Sequence, residues 1–207
     1  FLAVQDGIYD MFDAGSPASP SVEEVAEDGA TANRIAAAFN SGGVADATAT
    51  DSPLMPGQSQ SVSFLVDPDN PLTQYLSFMT MVIPSNDAFI GDDNPQAIDL
   101  FDSAGNLIVR SGGNAVIVMG SQVWDAGTEV NDEIFENTAF LPDMPIFPGQ
   151  TVPDTGVPEG GVIELHPGLQ GSLGFGGEVG NVLSAFPGAD FTEPGALIME
   201  ISITPGG

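Results

Sequence analysis

Short apolar runs broken by Gly and Pro set the rhythm of this chain, and from Ser59 onward they carry a period of two. Val62, Phe64 and Val66 alternate with Ser61 and Ser63, the signature of a half-buried strand. Tyr75 to Ile83 (YLSFMTMVI) is apolar on both faces, as a central strand would be. Ala97–Phe101, Leu107–Arg110, Ala115–Met119 and Gly161–Leu165 follow as further strands, with a hairpin turn over Asp102-Ser103-Ala104-Gly105-Asn106. At the end of the chain Leu197, Met199, Ile201 and Ile203 alternate with Ile198, Glu200, Ser202 and Thr204. This pattern predicts Phe64, Phe78, Ile83, Leu197, Met199 and Ile201 in the core.

Residues 1–58 read differently. Ser21-Val22-Glu23-Glu24 fits a capping box, with Gly29 as the stop. Thr31–Phe39 is a second short helix, ended by Gly42-Gly43. Both are small and Ala-rich, a helical flap on a β domain. Asp125–Gly160 has no regular period and holds Pro142, Pro145, Pro148, Pro153 and Pro158, so it reads as a long functional or mobile loop. Gly168–Gly180 is Gly-rich but lacks a phosphate-loop lysine. The expectation is a single domain over 1–207, with a helical and looped segment at 1–58 and a strand core at 59–207. The fold class is all-β, an antiparallel sandwich with short N-terminal helices.

Composition narrows the partners. There are 29 acidic residues against Arg34 and Arg110, no lysine, and a formal charge of −27. Such a surface repels phosphate backbones and anionic headgroups, so neither nucleic acid nor a membrane is an expected partner. It attracts cations and basic proteins, and it suits a salty environment that screens its self-repulsion. Hydrophobic residues at 42% are enough for a core. Without cysteine there is no disulfide, thiolate metal site or thiol nucleophile. No stretch approaches the roughly 18 apolar residues of a membrane span. The chain opens on Phe1-Leu2-Ala3-Val4, which suggests a processed or truncated start.

Catalytic constellations fall short. His166 is the only histidine, and no Gly-x-Ser-x-Gly elbow accompanies it. Zinc would need more His or Cys ligands. Carboxylates this frequent fall near one another by chance, so an acidic pair carries no weight by itself. No catalytic residue is predicted. Hard-cation binding is the chemistry the inventory allows, since Ca²⁺ takes six to eight oxygens. No EF-hand loop is present. Two clusters place a carboxylate at a strand end with Gly close behind: Pro84-Ser85-Asn86-Asp87-Ala88-Phe89-Ile90-Gly91, and Asp125-Ala126-Gly127-Thr128-Glu129.

These two runs resemble the hallmark loops of spondin N-terminal domains. Ala88 stands where an aromatic is usual, and Glu129 where animal members often carry Asp. Phe12-Asp13-Ala14-Gly15, Ser19-Pro20, Ala26-Glu27-Asp28-Gly29 and Pro56-Gly57 are similar to bacterial members and lie in the expected order. The resemblance implies a C2-like sandwich with a calcium site at one end, and the matching residues are Asp87, Asp125 and Glu129. Turn carbonyls of 125–129 and water would complete the shell. It also implies that the family's first strand precedes Phe1. The N-terminal sheet edge is then expected to be capped by residues 1–58 or paired with another chain. The functional expectation is a secreted, non-enzymatic, Ca²⁺-binding adhesion or extracellular-matrix module, acting on an extracellular protein or glycan surface. The rival is a self-assembling subunit of an extracellular filament or surface layer, joined by strand addition at an exposed edge.

Overall fold

The computed structural model describes residues 1–139, 149–150, 152–169, 182 and 188–206. Its strands are β1 (Leu2–Gln5), β2 (Val44–Thr48), β3 (Tyr75–Met81), β4 (Ala88–Gly91), β5 (Val116–Met119), β6 (Trp124–Asp125), β7 (Glu164–Leu165) and β8 (Leu197–Ile201). Two helices, α1 (Pro20–Asp28) and α2 (Ala32–Ser41), separate β1 from β2. The protein is mostly β, with a six-stranded sheet in the order β2-β1-β3-β4-β6-β7 and a two-stranded sheet β5-β8. Every pairing within the sheets is antiparallel.

The helices start and stop for local reasons. Ser19 is extended and Pro20 takes the first helical position, where its missing N–H costs nothing. The capping box expected at Ser21 does not form, because Ser21 already lies inside the helix. Gly29, at φ 67°, ends α1 with its N–H on the Val25 carbonyl. Gly42, at φ 78°, ends α2.

Segment 1–58 holds two strands as well as the helices. β1 lies between β2 and β3, pairing Val4 with Leu76 and Ala3 with Ala47. The N-terminal segment therefore supplies interior sheet, and the edge on that side is β2. The period-two signal missed β1 because four residues are too few to show it and both of its faces are buried.

Alternation splits the six-stranded sheet between two apolar clusters. Ala3, Met79 and Phe89 face Val22, Val25, Ala26 and Ala38 of the helices. Val4, Leu76, Phe78, Ala88 and Ile90 face the other way, toward Val118 and half-buried Met199 and Ile201 of the smaller sheet. Burying a large side chain in either cluster contributes about 1.5–3 kcal/mol.

The predicted core holds in part. Phe78 is buried, while Phe64, Ile83, Met199 and Ile201 are half-buried. Leu197 is a correction, at 57% exposed. The β5–β8 register shifts between Val118, opposite Met199, and Met119, opposite Leu197. That irregularity reverses the phase, so Ile198 turns inward and Leu197 outward. Val62, Phe64 and Val66 are more buried than Ser61, Ser63 and Leu65, as the alternation requires, but the segment joins no ladder. Ala97–Phe101 and Leu107–Arg110 form only isolated bridges. The turn between them does form, with Asp102 Oδ1 accepting from the Ala104 and Asn106 N–H groups. Most of the Gly-rich 168–180 run and part of the 125–160 loop lie outside the described residues.

Candidate functional site

Ser85 shapes the loop that presents Asp87. Its hydroxyl donates to the Val82 carbonyl at 2.5 Å and accepts from the Ala88 N–H at 3.1 Å. Asp87 thus stands at the head of β4. Ala88 pairs with Asp125 across the sheet, and the Ala126 N–H donates to the Asp87 carbonyl at 3.3 Å. The two loops expected to meet at one pole do meet.

The Asp87 carboxylate is fully buried, and its two oxygens are treated unequally. Oδ2 accepts from the Thr128 N–H at 2.8 Å, the Thr128 hydroxyl at 3.1 Å and the Glu129 N–H at 3.1 Å. Oδ1 is buried with no partner. Glu129 repeats the pattern: Oε1 accepts from the Gly156 N–H at 2.8 Å, and Oε2 is buried without a partner. Gly156 comes so close that a Cβ there would stand 2.0 Å from the Glu129 carboxyl carbon.

Burial pushes the Asp87 carboxyl up to about 7, and the neighbouring Asp125 charge adds to the rise. Glu129 is pushed up to about 7, by burial first and by the Asp87 charge among its neighbours. Glu27, from the last turn of α1, joins them. It is buried, hydrogen-bonded to the Thr128 side chain, and pushed up to about 8 by burial and the charges of Glu129, Glu23 and Asp87. Sequence reasoning missed Glu27, because a carboxylate in a helix's last turn has no motif to mark it.

No basic side chain answers this charge. Arg34, a buried residue of α2, donates to the Met11 carbonyl and the Tyr9 hydroxyl. Arg110 pairs with Asp99 at 3.6 Å. The sequence contains no other Lys or Arg.

Asp125 sits in the same turn with its oxygens engaged. Oδ1 accepts from the Gly127 N–H at 2.8 Å, and Oδ2 accepts from the Asn131 amide. Asn131 Oδ1 lies 2.9 Å from His166 Nε2, while His166 Nδ1 accepts from the Gly168 N–H at 2.9 Å. Nδ1 is thereby an acceptor, so Nε2 carries the proton toward Asn131. Burial holds the His166 pKa down. The turn carbonyls are engaged too, with Gly127 accepting from Gly161 and Thr128 from Glu159. Among the described residues, no group of three or more Asp, Glu, His or Cys is placed to hold a metal ion. The structure therefore joins Asp87 and Glu129 closely through Thr128, with Asp125 beside them through the backbone.

The Spondin_N family model matches residues 3–140, well over half of the chain, and spans both acidic loops as far as Glu129. The chain belongs to the spondin N-terminal domain family. Spondin domains are typically extracellular adhesion or matrix modules, and the family is generally non-catalytic. No curated protein matches the chain. Among the described residues of this spondin domain, no helix is long and apolar enough to cross a membrane.

Proposed function

We propose that this spondin domain is a secreted, non-enzymatic adhesion or matrix module of C2-like sandwich form, and that Ca²⁺ is bound at its acidic pole. The observation that carries the calcium reading is the pair of buried, unpartnered carboxylate oxygens, Asp87 Oδ1 and Glu129 Oε2. An orphaned buried acceptor is costly, and a buried carboxylate without a counter-charge more so. A hard cation with oxygen ligands relieves both costs. Asp87 and Glu129 would hold it, Asp125 and Glu27 would add negative charge, and water would fill the remaining positions. Flexible, high-coordination oxygen sites suit Ca²⁺ better than Mg²⁺, which demands near-ideal octahedral geometry. The bound ion would supply charge neutralisation and would tie the β3–β4 loop to the 125–129 turn.

Calorimetric titration with CaCl₂ tests this. Wild type is expected to bind one ion and Asp87→Asn none, with both folded by circular dichroism. Absence of binding to the wild-type protein at millimolar calcium would overturn the calcium reading.

A further inference from the structure

The sheet has a second feature, far along the strand order from the acidic pole: β2, at the end of the six-stranded sheet opposite β7. β2 pairs with β1 on one side only. The strand-like segment 59–66 makes no backbone–backbone hydrogen bond among the described residues. A cavity of about 320 Å³ separates these two extended stretches, lined by residues 46–51 on one wall and 60–64 on the other. The walls are tied together at one end only. Gln60 accepts from the Asp51 N–H at 3.0 Å and donates to the Ser52 carbonyl and hydroxyl, each at 2.8 Å, while Phe64 packs against the core.

We propose that this groove is a strand-addition site for an extended, lysine- or arginine-bearing segment of another protein. Backbone N–H and C=O groups facing a gap call for a strand, because only an extended chain meets such groups along its length. The groove is lined over six residues on one side and five on the other, a common strand length. Charge decides the occupant. Exposed Asp46 and Asp51 line the groove, and the whole chain carries −27. A second copy of this chain would bring the same charge and no lysine, so the rival of self-assembly is disfavoured at this edge. A basic strand gains backbone pairing and charge neutralisation together. The proposal rests on the reading of this domain as a binding module but not on its calcium site.

The test uses the full chain and an alternating Thr–Lys peptide of about eight residues. Two controls accompany it: the same peptide with N-methyl threonines, which keeps the charge and removes strand donors, and an alternating Thr–Glu peptide. The Thr–Lys peptide is expected to bind and to slow amide hydrogen exchange within residues 44–50. N-methylation, or the Asp46→Asn/Asp51→Asn pair, is expected to weaken binding by about tenfold or more. Equal binding of the methylated peptide would reduce the effect to surface charge and overturn the proposal. So would absence of protection at 44–50, or a concentration-dependent dimer that protects those amides without peptide. Loss of peptide binding with calcium binding intact would sink this site alone.

Discussion

Two buried carboxylates stand at opposite ends of β4, and their oxygens are satisfied very differently. Asp92, just past β4, is buried and pushed up to about 7 by desolvation. Both of its oxygens are nevertheless engaged: Oδ1 accepts from the Phe78 N–H at 2.8 Å, and Oδ2 from the Ser77 hydroxyl at 2.9 Å. Ser77 in turn accepts from Gln5 Nε2 at 3.1 Å, so a buried polar chain links β1, β3 and the residue after β4. Asp87, just before β4, is as deeply buried, yet it leaves Oδ1 bare, and Glu129 leaves Oε2 bare. The Asp92 network is complete within the protein. The Asp87 pole is half complete, and it lacks one thing a hard cation supplies. The satisfied network fixes strand packing; the unsatisfied one is what the proposed cation would complete.

The largest test removes the satisfied half of the Asp87 pole. Asp87→Ala strands three donors from Thr128 and Glu129. It is expected to cost about 3 kcal/mol, read from urea unfolding in chelator, where calcium plays no part. A cost below that of an ordinary surface substitution would show that the loop does not depend on these bonds.

Calcium comes next. Ligand binding to the folded state alone stabilises by about 2.7 kcal/mol at a hundredfold excess over Kd. Thermal melts with calcium and with chelator, at matched ionic strength, should differ for wild type and for Asp92→Asn, and coincide for Asp87→Asn. Asp125→Asn should retain part of the difference, because its oxygens already serve Gly127 and Asn131. If Asp92→Asn loses the calcium response instead, the contrast between the two carboxylates is drawn at the wrong residue.

Gly127→Ala probes the turn between Asp125 and Glu129. Gly127 has φ 68°, and a Cβ would stand 2.6 Å from the backbone nitrogen of Val162. Neither atom can swing away, so a loss of about 1–3 kcal/mol is expected, with weaker calcium binding alongside it.

The last test is read as a slope against pH. Asp92 has its folded pKa raised to about 7, above an unfolded value near 3.8. Between those values the folded protein binds the extra proton, so its contribution is complete below about pH 4 and is lost as pH rises through about 7. In chelator, stability should therefore fall as pH climbs from about 4 to 7, by up to about 1.4 kcal/mol per pH unit for each such group. Asp92→Asn should flatten that slope. A chelated protein whose stability rises over this range would contradict the burial argument for both carboxylates.

Much of the fold was legible as pattern. The apolar run beginning at Tyr75 became the central β3, and Val116–Met119 became β5, because burial on one or both faces writes itself into successive side chains. Glycines marked the ends of α1 and α2, because a left-handed backbone is nearly free only for glycine. Asp87, Asp125 and Glu129 could be named because the two loops that carry them resemble the hallmark loops of the spondin family. What no local pattern holds is pairing. Whether Val62–Val66 finds a partner strand, whether Leu197 keeps phase after a register shift, and that four residues at 2–5 thread the middle of a sheet depend on chain segments dozens of positions away. The same is true of the site. Composition fixed the shortage of positive charge, since two arginines cannot neutralise 29 acids. Only the tertiary structure decided which of those acids are buried, that Glu27 reaches them from a helix, and which two oxygens are left bare, because solvation and hydrogen bonding are set by what folds over a group rather than by its neighbours in sequence.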